Sequence, residues 1–305
     1  MQHSGSSPRL SAILQAIFVT FLWSTSWVLI KIGLRGNLPP ITFAGLRYAL
    51  AALCLAPFVL FNPSHRAALG KISRPDWLRL TLLGIVFYTL AQGAQYISLA
   101  YLPAVMVNLL LNFSPIFVGG LALFALKEPP SALQWVGIAL AVIGTGVYFL
   151  PFALQKVALI GLAMAALGVL ANSVATLQGR QANRDLSLPP LLVTFISMGI
   201  GAALLFGTGL AVQGFGQPTL LDWIIITWLA VVNTAFAFTL WNNSLRTLTA
   251  VESSILNSLM MPQIALMAVL FLGEKLTGKE IAGLLLVGIG VVVVQLKLGH
   301  RSMTQ

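Results

Sequence analysis

Two stretches of this chain carry amides at helical spacing: Gln92 and Gln95, then Asn108 and Asn112. A third stretch, FLWSTSWVLIKIG (21–33), sets Ser24, Thr25 and Ser26 between Trp23 and Trp27. Residues three or four apart share one face of a helix, so the amide pairs each point in one direction. Amides, hydroxyls and indole N–H groups can hold a small polar molecule by hydrogen bonds and ring contact. They are poor at moving protons or breaking bonds, and the groups that do such work are badly placed here. All seven carboxylates, Asp76, Glu128, Asp185, Asp222, Glu252, Glu274 and Glu280, fall at expected helix ends or in loops, as do His3, His65 and His300. No nucleophile has a credible base, and the single cysteine, Cys54, cannot form a two-cysteine metal motif or an intramolecular disulfide. No catalytic activity, metal or cofactor is expected.

The elements that position these residues must live in lipid. Of 305 residues 58% are hydrophobic and 8% charged, and the mean hydropathy is +0.93, which leaves a soluble globule almost nothing to face water with. The lipid bilayer is the expected surrounding. A membrane helix needs about 20 mostly apolar residues, and such runs fall at 11–34, 40–61, 77–99, 104–126, 131–150, 157–179, 190–212, 222–245, 250–272 and 279–297. The first run is too long for a signal peptide and lacks a small-residue cleavage site, so it reads as a span. Proline-, glycine- or charge-rich breaks such as RGNLPP, LKEPPS and LGEKLTGKE separate the runs. The weakest break is at Pro103, where a tight hairpin is expected.

Lys and Arg on alternate sides set the orientation. With the N-terminus inside, Arg9, Arg66, Lys71, Arg74, Arg79, Lys127, Arg180, Arg184, Arg246, Lys297 and Arg301 are cytoplasmic, while Lys31, Arg35, Lys156, Lys275 and Lys279 lie on the other side. The richer side belongs in the cytoplasm, so both termini are expected there. The net charge of +10 then follows from topology, and no nucleic-acid partner is expected.

An offset of about 147 residues lays 101–148 over 248–294. Both copies have a mid-span proline (Pro115, Pro262), an acidic residue in the next loop (Glu128, Glu274) and a spaced glycine pair (Gly137 and Gly144, Gly283 and Gly290). Pro39-Pro40 likewise falls over Pro189-Pro190 at a slightly larger offset. The chain therefore divides into a tail at 1–10, a five-helix repeat at 11–150, a second at 157–297 and a tail at 298–305. Five spans per repeat force the second to enter the membrane from the opposite side.

Depth along the spans sorts the polar groups into two vestibules, one with Gln92, Gln95, Asn108 and Asn112, the other with Asn242, Asn243, Ser253, Ser254 and Asn257. Trp23, Tyr88 and Trp241 keep company with them, while Trp77, Trp135 and Trp223 stand at span starts as interfacial anchors. Arg47 is the one charge within a span. It can snorkel, hold backbone carbonyls or grip a carboxylate, and packing is the favoured reading. Lys31 is expected to snorkel. With no acid at depth, exchange of a proton for a cation is disfavoured.

The segment AIFVTFLWSTSWVLIKIGLRGNLPPITFAGLRYALAALCLAP (16–57), with its tryptophan-serine motif, proline pair and LRY arginine, resembles the start of an EamA-type member of the drug/metabolite transporter superfamily. SPIFVGGLALFALKEPPSALQWVGIALAVIGTGVY (114–148) resembles that family's proline, glutamate and glycine pattern, echoed in 262–290. The resemblance covers essentially the whole chain. It implies an all-α integral membrane protein of ten transmembrane helices in two inverted five-helix repeats, multi-pass in a bacterial inner membrane. It also implies a cavity ringed by spans 1, 3, 4, 6, 8 and 9, which here picks Trp23, Ser24, Trp27, Tyr88, Gln92, Asn108, Asn112, Asn172, Thr176, Trp241 and Asn257. The second half lacks counterparts of Arg47 and the tryptophan pair.

The expected function is export of amino acids, aromatic and other neutral ones, by alternating access and without proton coupling. Aromatic residues would hold the side chain; hydroxyls and amides would bind the zwitterion without a buried net charge. Pro115 and Pro262 are the expected hinges, since proline removes a helical hydrogen bond. The alternatives are an exporter of drugs or other small metabolites and a non-transporting membrane scaffold. Oligomeric state stays open, a monomer included. Of residues 23 to 27, Trp23, Ser24 and Trp27 are the expected site residues, and Thr25 and Ser26 are assigned to packing.

Overall fold

The computed structural model describes residues 8–36, 38–102, 104–126, 129–149, 159–272 and 276–296. The turn at Pro103, the acidic residues Glu128 and Glu274 and the C-terminal tail lie outside them. The described residues form helices joined by short connections: α1 (Pro8–Gly33), α2 (Pro40–Leu60), α3 (Pro63–Leu69), α4 (Arg74–Leu83), α5 (Gln92–Tyr101), α6 (Ala104–Leu111), α7 (Ser114–Ala125) and α8 (Ala132–Phe149). The second half holds α9 (Leu159–Asp185), α10 (Pro190–Gln213), α11 (Leu220–Ala230), α12 (Ala237–Ser244), α13 (Ala250–Asn257), α14 (Met260–Leu272) and α15 (Gly278–Leu296). Wide π turns at Gly84–Ala91 and Val231–Phe236 join α4 to α5 and α11 to α12. Their first residues are 147 apart, so the repeat extends to these irregularities.

Among the described residues six continuous helices are long and apolar enough to cross a membrane: Pro8–Gly33, Pro40–Leu60, Arg74–Tyr101, Leu159–Asp185, Pro190–Gln213 and Leu220–Ser244. Large apolar side chains such as Leu53, Phe58, Phe124 and Val212 stand more than 60% exposed, a surface that only lipid or a partner would cover. The protein is a multi-pass membrane protein.

Helix starts follow local chemistry. Thr219 with Asp222 and Thr249 with Glu252 each form a reciprocal capping box. Pro40 and Pro190 open α2 and α10, where a missing N–H costs nothing. These caps bury two of the carboxylates assigned to helix ends: Asp222 is 5% and Glu252 2% exposed.

The two halves interlock through glycine. A Cβ at Gly45 would lie 2.5 Å from Phe206 Cα, and one at Gly201 would lie 2.2 Å from the Gly84 carbonyl oxygen. Gly137 meets Gly290 and Gly144 meets Gly283 where α8 crosses α15, so the glycines that mark the repeat also form a close helix crossing. Close backbone approach of this kind replaces the hydrophobic drive that lipid withholds.

Candidate functional site

The π turns and two helix breaks build one cavity of about 80 Å³ at the centre of the bundle, with room for several water molecules. Its wall takes Trp23, Ser26 and Trp27 from α1, Arg47 and Tyr48 from α2, and Phe87 from the first π turn. Gln92 and Gln95 come from α5, Asn172 from α9, Phe238 from α12 and Ser254 and Asn257 from α13. The breaks complete it, with Asn108, Leu111, Asn112, Ser114 and Pro115 on one side and Ser258 and Met260 on the other.

Each break has a local cause. Between α6 and α7 the chain tightens into a turn in which Phe113 N–H donates to the Leu110 carbonyl. Pro115 follows in the first turn of α7, where the absent donor is tolerated. Between α13 and α14 Ser258 N–H donates to Ile255 and Leu259 N–H to Leu256, and Pro262 follows in the first turn of α14. Both expected hinge prolines therefore sit just past a helix break. Pro115 lines the cavity and Pro262 does not.

The second π turn anchors the cavity's largest groups. In it Thr234 Oγ1 donates to the carbonyl of Leu229, five residues back, at 2.7 Å. The Asn233 carbonyl then accepts from Trp23 Nε1 at 3.1 Å and from Arg47 Nη2 at 3.4 Å. Arg47 also donates from Nε to Thr234 Oγ1 at 2.7 Å and from Nη1 to Tyr96 Oη at 3.1 Å, and its guanidinium lies 5.2 Å from the Tyr48 ring centroid. Arg47 is 3% exposed. Of the two packing roles weighed for it, snorkelling does not describe a side chain so buried, while the hold on a neighbouring carbonyl is there at Asn233; two side-chain oxygens and the cavity complete its surroundings. The Trp23 ring packs 4.8 Å from Phe238 and 5.0 Å from Trp241, centroid to centroid.

Of the expected site residues, Trp23, Trp27, Gln92, Asn108, Asn112, Asn172 and Asn257 line the cavity together. Ser24, Tyr88, Thr176 and Trp241 do not. Ser24 is fully buried against α14, donating to Gln263 Oε1 at 3.0 Å, while Gln263 Nε2 donates to Thr20 Oγ1 at 3.2 Å. Tyr88 lies behind the wall among Tyr48, Phe87 and Phe238, because in a turn that closes over five residues it is Phe87, five before Gln92, that shares the face. Thr176 Oγ1 returns to the Asn172 carbonyl, and Trp241 backs Trp23. Sequence reasoning missed Ser26, Tyr48, Phe87, Leu111, Ser114, Phe238, Ser258 and Met260; the serines, each close to a residue that was singled out (Trp23, Pro115 or Asn257), carried a signal.

The two expected vestibules are not separate, since Gln92, Gln95, Asn108 and Asn112 meet Ser254 and Asn257 in one cavity. Asn242 and Asn243 go elsewhere. Asn242 accepts from Asn183 Nδ2 at 2.6 Å and donates to Thr194 Oγ1 at 2.8 Å; Asn243 donates to Gln15 Oε1 at 2.9 Å. With Arg9 on Glu252 at 2.5 Å and Arg180 on the Leu245 and Arg246 carbonyls, these contacts tie together the end of the bundle where α1 begins. Arg9→Ala removes the ion-pair partner of a 2% exposed carboxylate. It is expected to cost about 1–3 kcal/mol of stability, read as a lower midpoint of thermal unfolding in detergent, with Arg9→Lys intermediate.

Two cavity atoms, Ser114 Oγ and Asn257 Oδ1, are buried with no hydrogen-bond partner among the described residues. Buried polar atoms are rarely left so, and a bound polar molecule would satisfy them. Among the described residues no Asp or Glu lines the wall. The cavity thus combines an aromatic side, an amide-rich side and one guanidinium.

Residues 10–150 and 159–296 both match the EamA-like transporter family. The uncharacterized transporter YvbV of Bacillus subtilis is 26% identical, over 95% of this chain and 93% of its own. A probable amino-acid metabolite efflux pump of Escherichia coli is 27% identical, over 91% of this chain and 92% of its own. One crystal structure superposes with a TM-score of 0.77 at 19% identity, over 96% of this chain and 99% of that one, which supports the fold. Two matching halves that together span nearly the whole chain, around a polar and aromatic cavity, make it a member of the EamA-like transporter family and a membrane transporter.

Proposed function

We propose that this transporter exports amino acids, aromatic and other neutral ones, from the bacterial cytoplasm across the inner membrane. The observation that carries the reading is the pairing in one cavity of an aromatic wall, Trp23, Trp27 and Phe238, with unpartnered polar atoms on Ser114 and Asn257. Rings of this kind hold an apolar side chain, and Asn257 Oδ1 is an acceptor fit for an ammonium group. The relative named as an amino-acid metabolite efflux pump supports the same class. Arg47 as the charged group on the wall, with no carboxylate beside it among the described residues, disfavours lipophilic cations as cargo.

In this reading the chain crosses the bilayer ten times, with the repeats at 11–150 and 157–297 inverted and both termini cytoplasmic. Rocking of one repeat against the other, with bending at the breaks beside Pro115 and Pro262, would alternate access to the cavity. Transport without proton coupling predicts counterflow of labelled phenylalanine or tryptophan in proteoliposomes with no pH gradient. Flux that appears only with a proton gradient would overturn the uncoupled mechanism, and no flux of any amino acid would overturn the substrate class.

A further inference from the structure

Arg47 is a buried cation for which the described residues supply no anion. Its side chain is in none of the ion pairs, and its three hydrogen bonds go to a hydroxyl, a phenol and a backbone carbonyl, all neutral. A guanidinium carries five N–H donors, so two remain after these three. Neutral partners offset only part of the cost of taking a full charge out of water, and an uncompensated buried charge is among the most destabilising features a fold can carry. The residue is also held rather than mobile: Thr234 in the π turn and Tyr96 of α5 fix two edges of the guanidinium, and Tyr48 lies beside it. The group lines the cavity, where the missing anion can reach it.

We infer that Arg47 is the receptor for a carboxylate of the transported molecule. The proposal deepens the amino-acid reading, on which it rests, and it changes one part of it. The carboxylate meets a fixed guanidinium rather than amides and hydroxyls, and cargo without a carboxylate leaves the charge unpaired. The fork geometry of the guanidinium suits two parallel hydrogen bonds to a carboxylate, a fit an ammonium cannot reproduce. Recognition by charge-assisted hydrogen bonds of this kind corresponds to about a tenfold or greater difference in affinity.

The test measures binding of three ligands to the full-length purified protein by ligand-dependent thermal stabilisation, at slightly acid pH so that amines stay protonated. L-Phenylalanine carries ring, ammonium and carboxylate; L-phenylalaninamide replaces the carboxylate with a neutral amide; 3-phenylpropionate lacks the ammonium. Wild type is expected to prefer phenylalanine over phenylalaninamide by about tenfold or more. In Arg47→Met the preference should fall to about one, chiefly through weaker binding of phenylalanine, whereas a merely structural role for Arg47 would weaken phenylalanine and phenylalaninamide alike and leave the preference standing. Arg47→Lys keeps the charge without the fork and should retain part of the preference, and it decides the matter should Arg47→Met fail to fold. Equal binding of the amide and the acid by wild type, or a preference unchanged in the variants, would overturn the carboxylate receptor and leave amino-acid transport standing. Binding of 3-phenylpropionate but not phenylalanine, lost in the variants, would do the reverse. Binding of none of the three would overturn both.

Discussion

Gly283→Leu is expected to leave little folded transporter. An added Cβ at Gly283 would lie 2.6 Å from the Gly144 carbonyl oxygen and 2.7 Å from the backbone nitrogen of Tyr148. These are backbone atoms, so α8 and α15 must move apart to make room, and a helix pair in lipid has little besides close contact to hold it. Even Gly283→Ala should cost about 1–3 kcal/mol, the range for overpacking, despite the better helix propensity of alanine. The same helix supplies the control: around Gly288 nothing lies within 4 Å of an added Cβ, so Gly288→Ala should be neutral or slightly stabilising. Gly144→Ala and Gly283→Ala act on one contact, so the double variant should cost less than the two single costs added. Thermal unfolding midpoints and yields of monodisperse protein would measure all five variants. A Gly288→Ala variant as damaged as Gly283→Ala would place the effect in the helix itself rather than in the crossing.

That contact was legible in the sequence because a repeat marks it. Gly137, Gly144, Gly283 and Gly290 recur in register, and small residues at fixed spacing in apolar helices have few structural uses besides close packing. Pro115 and Pro262 were legible for the same reason, and both fall beside a break. The capping boxes pair residues three apart, Thr219 with Asp222 and Thr249 with Glu252, a purely local pattern. Facing was harder to read. A helix turns by about 100° per residue, so the hydroxyls at Ser24 and Ser26 point to different neighbours, and nothing in their chemistry separates a seam with α14 from a cavity wall. Each serine hydroxyl also has a carbonyl a turn back within hydrogen-bond distance, Thr20 for Ser24 and Trp23 for Ser26, so the availability of a local acceptor gave no signal either. The π turns are invisible to a fixed period of 3.6, which is why Tyr88 was expected where Phe87 stands. Arg47 was legible as a charge in a span, but its partners Tyr96, Asn233 and Thr234 lie far along the chain, and only the fold brings them to it.

Trp23→Ala is expected to cut transport of phenylalanine about tenfold or more while cutting transport of alanine much less. The Trp23 indole lines the cavity, packs on Phe238 and Trp241 and donates to the Asn233 carbonyl that also accepts from Arg47. Loss of the ring removes an aromatic contact from any bound aromatic side chain, and such pairs contribute about 0.5–1.5 kcal/mol beyond the area they bury. A small substrate never reaches that wall and forfeits little. Trp23→Phe separates two consequences of the change, since it keeps a ring against Phe238 and Trp241 but gives up the indole donor. Phenylalanine transport should then recover in large part, while the Asn233 carbonyl is left to Arg47. Concentration dependence of counterflow for both substrates, in wild type and the two variants, measures this, and the loss in Trp23→Ala should fall mainly on the KM for phenylalanine. Equal losses for phenylalanine and alanine would mean that Trp23 acts through the integrity of the wall, by way of Asn233 and Arg47, and not through contact with the substrate's side chain.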